Sequence, residues 1–152
     1  VGSAARASGL ARDLRTSHPW GVYGGEIVHE PVIKPQGDVM ARLMLRCRET
    51  LQSADYVLRL LGACDPAATL PAPDYVPETT PDALAFGLVE GWRGEICHAA
   101  LTDAQGVLRC YKIKDPSLHN WLALALAVRG EGISDFPICN KSFNLSYCGH
   151  DL

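Results

Sequence analysis

Little in this sequence is concentrated. Of its 152 residues 7% are aromatic and 20% charged, and Lys plus Arg (14) falls short of Asp plus Glu (17). A net charge of −3 offers no basic excess to neutralise phosphates, so nothing argues for nucleic acid or an anionic lipid surface as a charge-driven partner. The longest apolar run, Trp121 to Val128, has eight residues against the roughly 18 of a membrane span. Nothing matches GxxxxGK[ST] or GxGxxG, so a nucleotide-phosphate cradle has no support. None of His18, His29, His98, His119 and His150 pairs with a second ligand at i, i+4, which excludes an HExxH-type zinc site. The cysteines (Cys47, Cys64, Cys97, Cys110, Cys139 and Cys148) form no CxxC pair and no zinc spacing. Cys47 and Cys97 lie in apolar patterns that suit reduced, buried thiols, favouring a reducing compartment over a disulfide scaffold.

What is present fits a globular domain. The chain is 47% hydrophobic with mean hydropathy +0.02, and its length can bury about two-thirds of the unfolded surface. It opens on Val1 without a signal-peptide pattern and reads as a piece of something longer, 1–152 forming one domain. Residues 64–82 hold five of the ten prolines, four acids and no base, a composition that predicts a proline-rich acidic crossing loop. Before it, Met40, Leu43, Cys47, Leu51, Ala54, Leu58 and Leu61 step at helical period, predicting a long amphipathic helix over about 38–61. Asp38 is its N-cap and Gly62 its C′ residue, with Arg42, Arg46, Glu49 and Ser53 on another, solvated face. Beyond the crossing, Glu95–Thr102 and Val107–Lys114 flank Asp103-Ala-Gln-Gly106 and predict a small antiparallel β-hairpin over about 95–114. Asp115-Pro116 opens a helix over about 116–129 that is apolar on nearly every side and so buried in a core or at an interface. The expected class is α+β, mainly helical.

The residues alone define no catalytic set. Cys97 and His98 are strand neighbours on opposite faces, and Cys139, Cys148 and His150 fit no zinc spacing, although a thiol or zinc protein built on them stays an alternative. One cluster stands out, Glu90-Gly-Trp-Arg-Gly-Glu95 at the hairpin entry. Arg93 beside Gly94 puts a permanent cation where backbone or ligand can approach closely; the plainer reading is a structural pair with Glu90 or Glu95.

In order along the chain, several motifs resemble one superfamily, the large subunit of [NiFe]-hydrogenases and the 49-kilodalton quinone-reducing subunit of respiratory complex I. Gly2-Ser-Ala-Ala-Arg-Ala-Ser-Gly9, Asp13-Leu-Arg15, Pro19, Tyr23 and Gly37-Asp-Val-Met-Ala-Arg42 are similar to its GPxxRASGxxxDxR…P…Y…GDvxaR stretch, and Arg46, Glu49 and Ser53 continue the match. Glu90–Glu95, a hairpin and Lys114-Asp-Pro-Ser-Leu-His-Asn120 resemble its ExPRGE passage, and Asp135–Leu152 is closest to large subunits of the hydrogenase-4 and formate-hydrogenlyase type.

The departures matter as much. The resemblance implies two cysteine pairs in a metal-bearing member. One pair would lie upstream of anything present, and at the other Ser146 and Gly149 stand where thiolates are required, with Cys148 out of register. The expectation is therefore no metal bound by this chain, as in the complex I branch, and a vacated cavity lined by Arg93, Glu90, Ser146, Gly149 and Asp151. The resemblance further implies NADH:quinone electron transfer by a membrane-associated complex. Quinone and the iron-sulfur clusters of a neighbouring subunit would be its cofactors, with none held by this chain. Its partners would be the N-terminal part of the same large subunit, an iron-sulfur small subunit and membrane subunits. Its place would be peripheral, on the cytoplasmic face of a bacterial inner membrane. The rival is a non-catalytic paralogue, a scaffold that kept the fold and lost the chemistry.

Overall fold

The computed structural model describes residues 1–65, 67–69, 72 and 78–150, the last without its side chain. Part of the proline-rich stretch and Asp151 lie outside the described residues.

The spine is the long helix, α3 (Val39–Ala63), which follows the short α1 (Gly2–Arg6) and α2 (Leu14–Ser17) and is packed by α1 and by α5 (Phe136–Phe143). As expected, the Asp38 carboxylate caps it, accepting from the Ala41 N–H at 2.6 Å. Its other end runs past Gly62, which lies in the last turn rather than at C′, and Cys64 closes the helix in extended backbone.

The helix is turned opposite to expectation. Met40, Leu43, Leu51, Leu58 and Leu61 face out, Leu51 with 71% of its surface exposed, whereas Ala41, Arg42, Leu45 and Tyr56 are buried. The face read as solvated is the face that packs. Arg42 and Arg46 reach α5, and Glu49 reaches Arg6 on α1; those partners are distant in sequence and outweigh the local preference of the leucine stripe. Two thiols are corrected with it: Cys47 is exposed and Cys97 half-buried, and Cys139 is the cysteine in the core.

The expected hairpin forms from β2 (Gly94–Thr102) and β3 (Leu108–Lys114), with Asp103 Oδ1 accepting from Gln105 N–H and Val107 N–H at 2.9 Å across the turn. A further strand, β1 (Leu84–Gly91), pairs antiparallel with β2, making a three-stranded sheet in the order β1-β2-β3. Gly91 pairs with Gly94, so Trp92-Arg93 is a two-residue turn between strands rather than an entry segment. Gly94 (φ +134) lies against Gly2 (φ +60): a Cβ on Gly2 would fall 2.5 Å from the Gly94 nitrogen, so both glycines are needed to seat α1 on this turn.

Helix α4 (Pro116–Ala127) begins as expected, with Pro116 in the first turn and the Asp115 carboxylate accepting from Ser117 N–H at 2.6 Å. It is buried along one side only. Ser117, Asn120 and Leu124 are inside, whereas Leu118, Leu122 and Leu126 are open. Leu124 joins Cys139 and Phe143 of α5 in one small core, and Ala7, Ala41 and Leu45 form a second. Helix α5 ends on Asn144 in the left-handed region (φ 53), the conformation in which Asn is a common substitute for Gly after a helix. That turn swings the carbonyls of Ser142, Phe143 and Asn144 toward α3 and Arg93. No helix among the described residues is long and apolar enough to cross a membrane.

Candidate functional site

Three features built from distant segments surround the Trp92-Arg93 turn. The first is a buried ionic cluster. Arg6, 1% exposed, donates from Nε to Glu49 Oε1 at 2.9 Å and from Nη1 to Glu90 Oε1 at 2.7 Å, and lies 3.4 Å from Asp13 Oδ2. Glu90 also accepts from Leu14 N–H at 3.2 Å. Arg15 grips both oxygens of Asp13, at 2.9 and 2.7 Å, in the fork geometry suited to guanidinium. His29 stands between Asp13 Oδ2 (3.1 Å) and the Tyr56 hydroxyl (3.2 Å), its side chain fully buried. Burial opposes ionisation of Asp13, but hydrogen bonds from His29 and Arg15 and the Arg6 charge outweigh it and hold the carboxyl well below the usual carboxylate range. Burial likewise opposes the charge on Arg6, and Glu49 and Glu90 reverse that and raise it.

The second is a group of three arginines on the last turn of α5. Arg42 donates to Ser142 Oγ at 2.8 Å and stacks 4.1 Å from the Phe143 ring centroid. Arg46 donates to the carbonyls of Ser142 and, at 2.8 Å, Phe143, with its guanidinium 5.8 Å from the Trp92 ring. Arg93 Nε donates to the Asn144 carbonyl, while Asn120 Nδ2 donates to the Arg93 carbonyl at 3.0 Å and fixes the turn. Burial pushes the Arg46 guanidinium pKa down, and the neighbouring charges of Arg42 and Arg93 push it further.

The third is a cleft of about 650 Å³ between α3 and β1, with Trp20, Val22, Tyr23 and Trp92 on its walls and Arg15 and Glu90 among its charged residues. Its size is that of a small-molecule pocket.

The residues expected to line one cavity separate into two places. Glu90 belongs to the ionic cluster and the cleft. Arg93, Ser146 and Gly149 gather near the start of α4, where Ser146 N–H donates to Ser117 Oγ at 3.1 Å and the Ser146 carbonyl accepts from Trp121 Nε1 at 3.2 Å. Arg93 does not pair with Glu90 or Glu95 among the described residues: Glu90 is taken by Arg6, and Glu95 by the forked guanidinium of Arg12, with one bond at 2.8 Å. The plainer structural pairing is therefore replaced by a backbone anchor.

Sequence reasoning missed the ionic cluster as a unit. Arg6, Asp13, Arg15 and Glu49 were visible as motif residues, but His29 carried no signal. A nickel-iron centre, which the superfamily implies for its hydrogenase members, does not fit this geometry. Ser146 offers a hydroxyl, and a Cβ on Gly149 would fall 2.5 Å from Asp115 Cγ, leaving no room for a thiolate side chain. Among the described residues no three His, Cys, Asp or Glu side chains converge on a metal position.

Comparison with known proteins gives the same neighbourhood. Residues 1–72 match the family described as respiratory-chain NADH dehydrogenase, 49 Kd subunit. Hydrogenase-4 component G of Escherichia coli (strain K12) is 34% identical over 139 residues, 91% of this chain and 24% of the relative. Formate hydrogenlyase subunit 5 of the same organism is 32% identical over 97% of this chain and 25% of its own length. A chain of the membrane-bound sulfane sulfur reductase, an archaeal respiratory membrane complex, superposes with TM-score 0.87 at 26% identity, over 100% of this chain and 42% of that one. Over nearly its whole length the chain is thus similar to hydrogenase-type large subunits, and over residues 1–72 to the complex I 49-kilodalton subunit. It spans a quarter to two-fifths of these relatives' length.

Proposed function

We propose that this chain is the C-terminal domain of the large, catalytic-type subunit of a membrane-associated oxidoreductase, working in complex I-like NADH:quinone electron transfer. Its partners are the N-terminal part of the same subunit, an iron-sulfur small subunit that delivers electrons, and membrane subunits, placing it peripherally on the cytoplasmic face of a bacterial inner membrane. The exposed apolar stripe of α3 and the open leucines of α4 are surfaces of the kind such contacts cover. The observation that carries the reading is Arg93, a guanidinium on a rigid strand turn, held by backbone at one nitrogen and left without a carboxylate partner among the described residues. Such a cation can orient a quinone oxygen and stabilise negative charge that develops there on reduction. With Ser146 and Gly149 in place of thiolates, no step runs through a nickel-iron centre.

The same replacements favour the scaffold reading, in which the fold persists without turnover. Quinone reduction by membranes carrying the full assembly separates the two. Arg93→Ala lowers turnover at least about tenfold, and Arg93→Lys restores part of it, if the residue acts on the quinone. Unchanged turnover in Arg93→Ala overturns the catalytic role.

A further inference from the structure

We propose that Arg46 and Arg93 form a receptor for a small oxyanion, a carboxylate or phosphate group, beside Trp92. The inference shares Arg93 with the redox reading but holds whether or not the assembly turns over quinone.

Three guanidinium groups (Arg42, Arg46 and Arg93) converge on residues 142–144. What they meet there is a helix end, whose partial negative charge of about half a unit offsets only a fraction of three cations. Among the described residues, the carboxylates nearby in sequence or space are committed elsewhere. Glu90 is held by Arg6, Glu95 by Arg12, and Asp115 caps its own helix. Glu49 acts on Arg46, but its carboxylate is held by Arg6 and Arg15.

Two further observations point to a missing acceptor. Arg46 Nε is buried with no hydrogen-bond partner. The two terminal nitrogens of Arg93, unlike its Nε, donate to nothing among the described residues. Planar guanidinium edges with unused donors are built for two-oxygen recognition of carboxylate or phosphate. A partly exposed Trp92 at the edge leaves the place open to a ligand from solvent.

The test is calorimetric titration of the full chain with inorganic phosphate and, separately, with acetate, whose relative affinity tells a tetrahedral oxyanion from a carboxylate. One saturable site per chain is expected for at least one probe. Arg46→Gln and Arg93→Gln should each weaken it about tenfold or more, and Arg59→Gln, in an exposed pair with Asp55 on α3, should leave it unchanged. Should Arg46→Gln fail to fold by circular dichroism, Arg93→Lys and the wild-type titration still decide the matter, with Arg93→Lys expected to weaken binding several-fold through loss of the fork. Absence of saturation with both probes by roughly 10 mM, or binding unchanged in the Arg93 variants, overturns the proposal. Binding lost in Arg93→Gln while quinone turnover persists refutes the redox reading and leaves this one standing; turnover lost with binding intact does the reverse.

Discussion

Arg6→Gln removes the hub of the buried cluster, and the structure sets the size of the effect. Arg6 is 1% exposed and contacts Glu49, Glu90 and Asp13. Asp13 retains Arg15 and His29, and Glu49 retains Arg15 at 3.5 Å, but Glu90 loses its cation and keeps only the Leu14 amide. Its side chain is 2% exposed, so it would become a buried charge without a counter-ion. Breaking a buried pair from one side costs about 3–5 kcal/mol, which for a chain of this length lowers Tm by about 6–20 °C. Because the loss comes from stranding Glu90, Arg6→Leu combined with Glu90→Leu should be less harmful than the sum of the two single changes by more than about 1 kcal/mol. Thermal unfolding of the four proteins by circular dichroism gives the cycle. A fall under about 2 °C in Arg6→Gln, or strict additivity in the double variant, would refute the assignment of Arg6 as the hub.

Asp13 should govern the acid limb of stability. Its carboxyl is held below the usual value of about 3.9, so its contribution is complete above about pH 5 and is lost as pH falls toward the folded-state value. The Tm difference between wild type and Asp13→Asn should therefore shrink between pH 5 and pH 3, and a constant difference would contradict this. Gly2→Ala should cost more than about 2 kcal/mol, since the new Cβ meets backbone at a φ of +60, whereas Gly62→Ala, in open space inside α3, should stabilise by about 0.5–1 kcal/mol. Urea midpoints of the two glycine variants moving in the same direction would contradict the pair. Asp38→Ala should lose the α3 cap and about 1 kcal/mol, read as a Tm drop of about 2–4 °C.

The parts of the fold that were legible rest on local chemistry. Asp38 and Asp115 capped where their positions before apolar runs indicated, and Asp103 and Gly106 made the turn between β2 and β3. What was not legible rests on contacts between distant residues. The apolar stripe of α3 suggested which face turns inward, but Arg6 and Glu49, 43 residues apart, and Arg46 with Phe143, 97 apart, recruit the polar face instead. Strand β1 has Gly87 in its middle and no polar alternation, so its partner β2 defines it rather than its own pattern. At the site, Arg93 stood out as a cation between Trp92 and Gly94, while its separation from Glu90 depends on Arg6 claiming that carboxylate. His29 has no neighbouring motif, and only the fold brings it between Asp13 and Tyr56.

If Ser146 and Gly149 have replaced metal-binding thiolates, the assembly works without nickel. The direct measurement is nickel and iron content of the full-length protein purified from membranes together with its neighbouring subunits. No stoichiometric nickel is predicted, with iron accounted for by iron-sulfur clusters on the neighbouring subunit. Nickel at one atom per chain would contradict the metal-free cavity and make this a hydrogenase with unusual ligands.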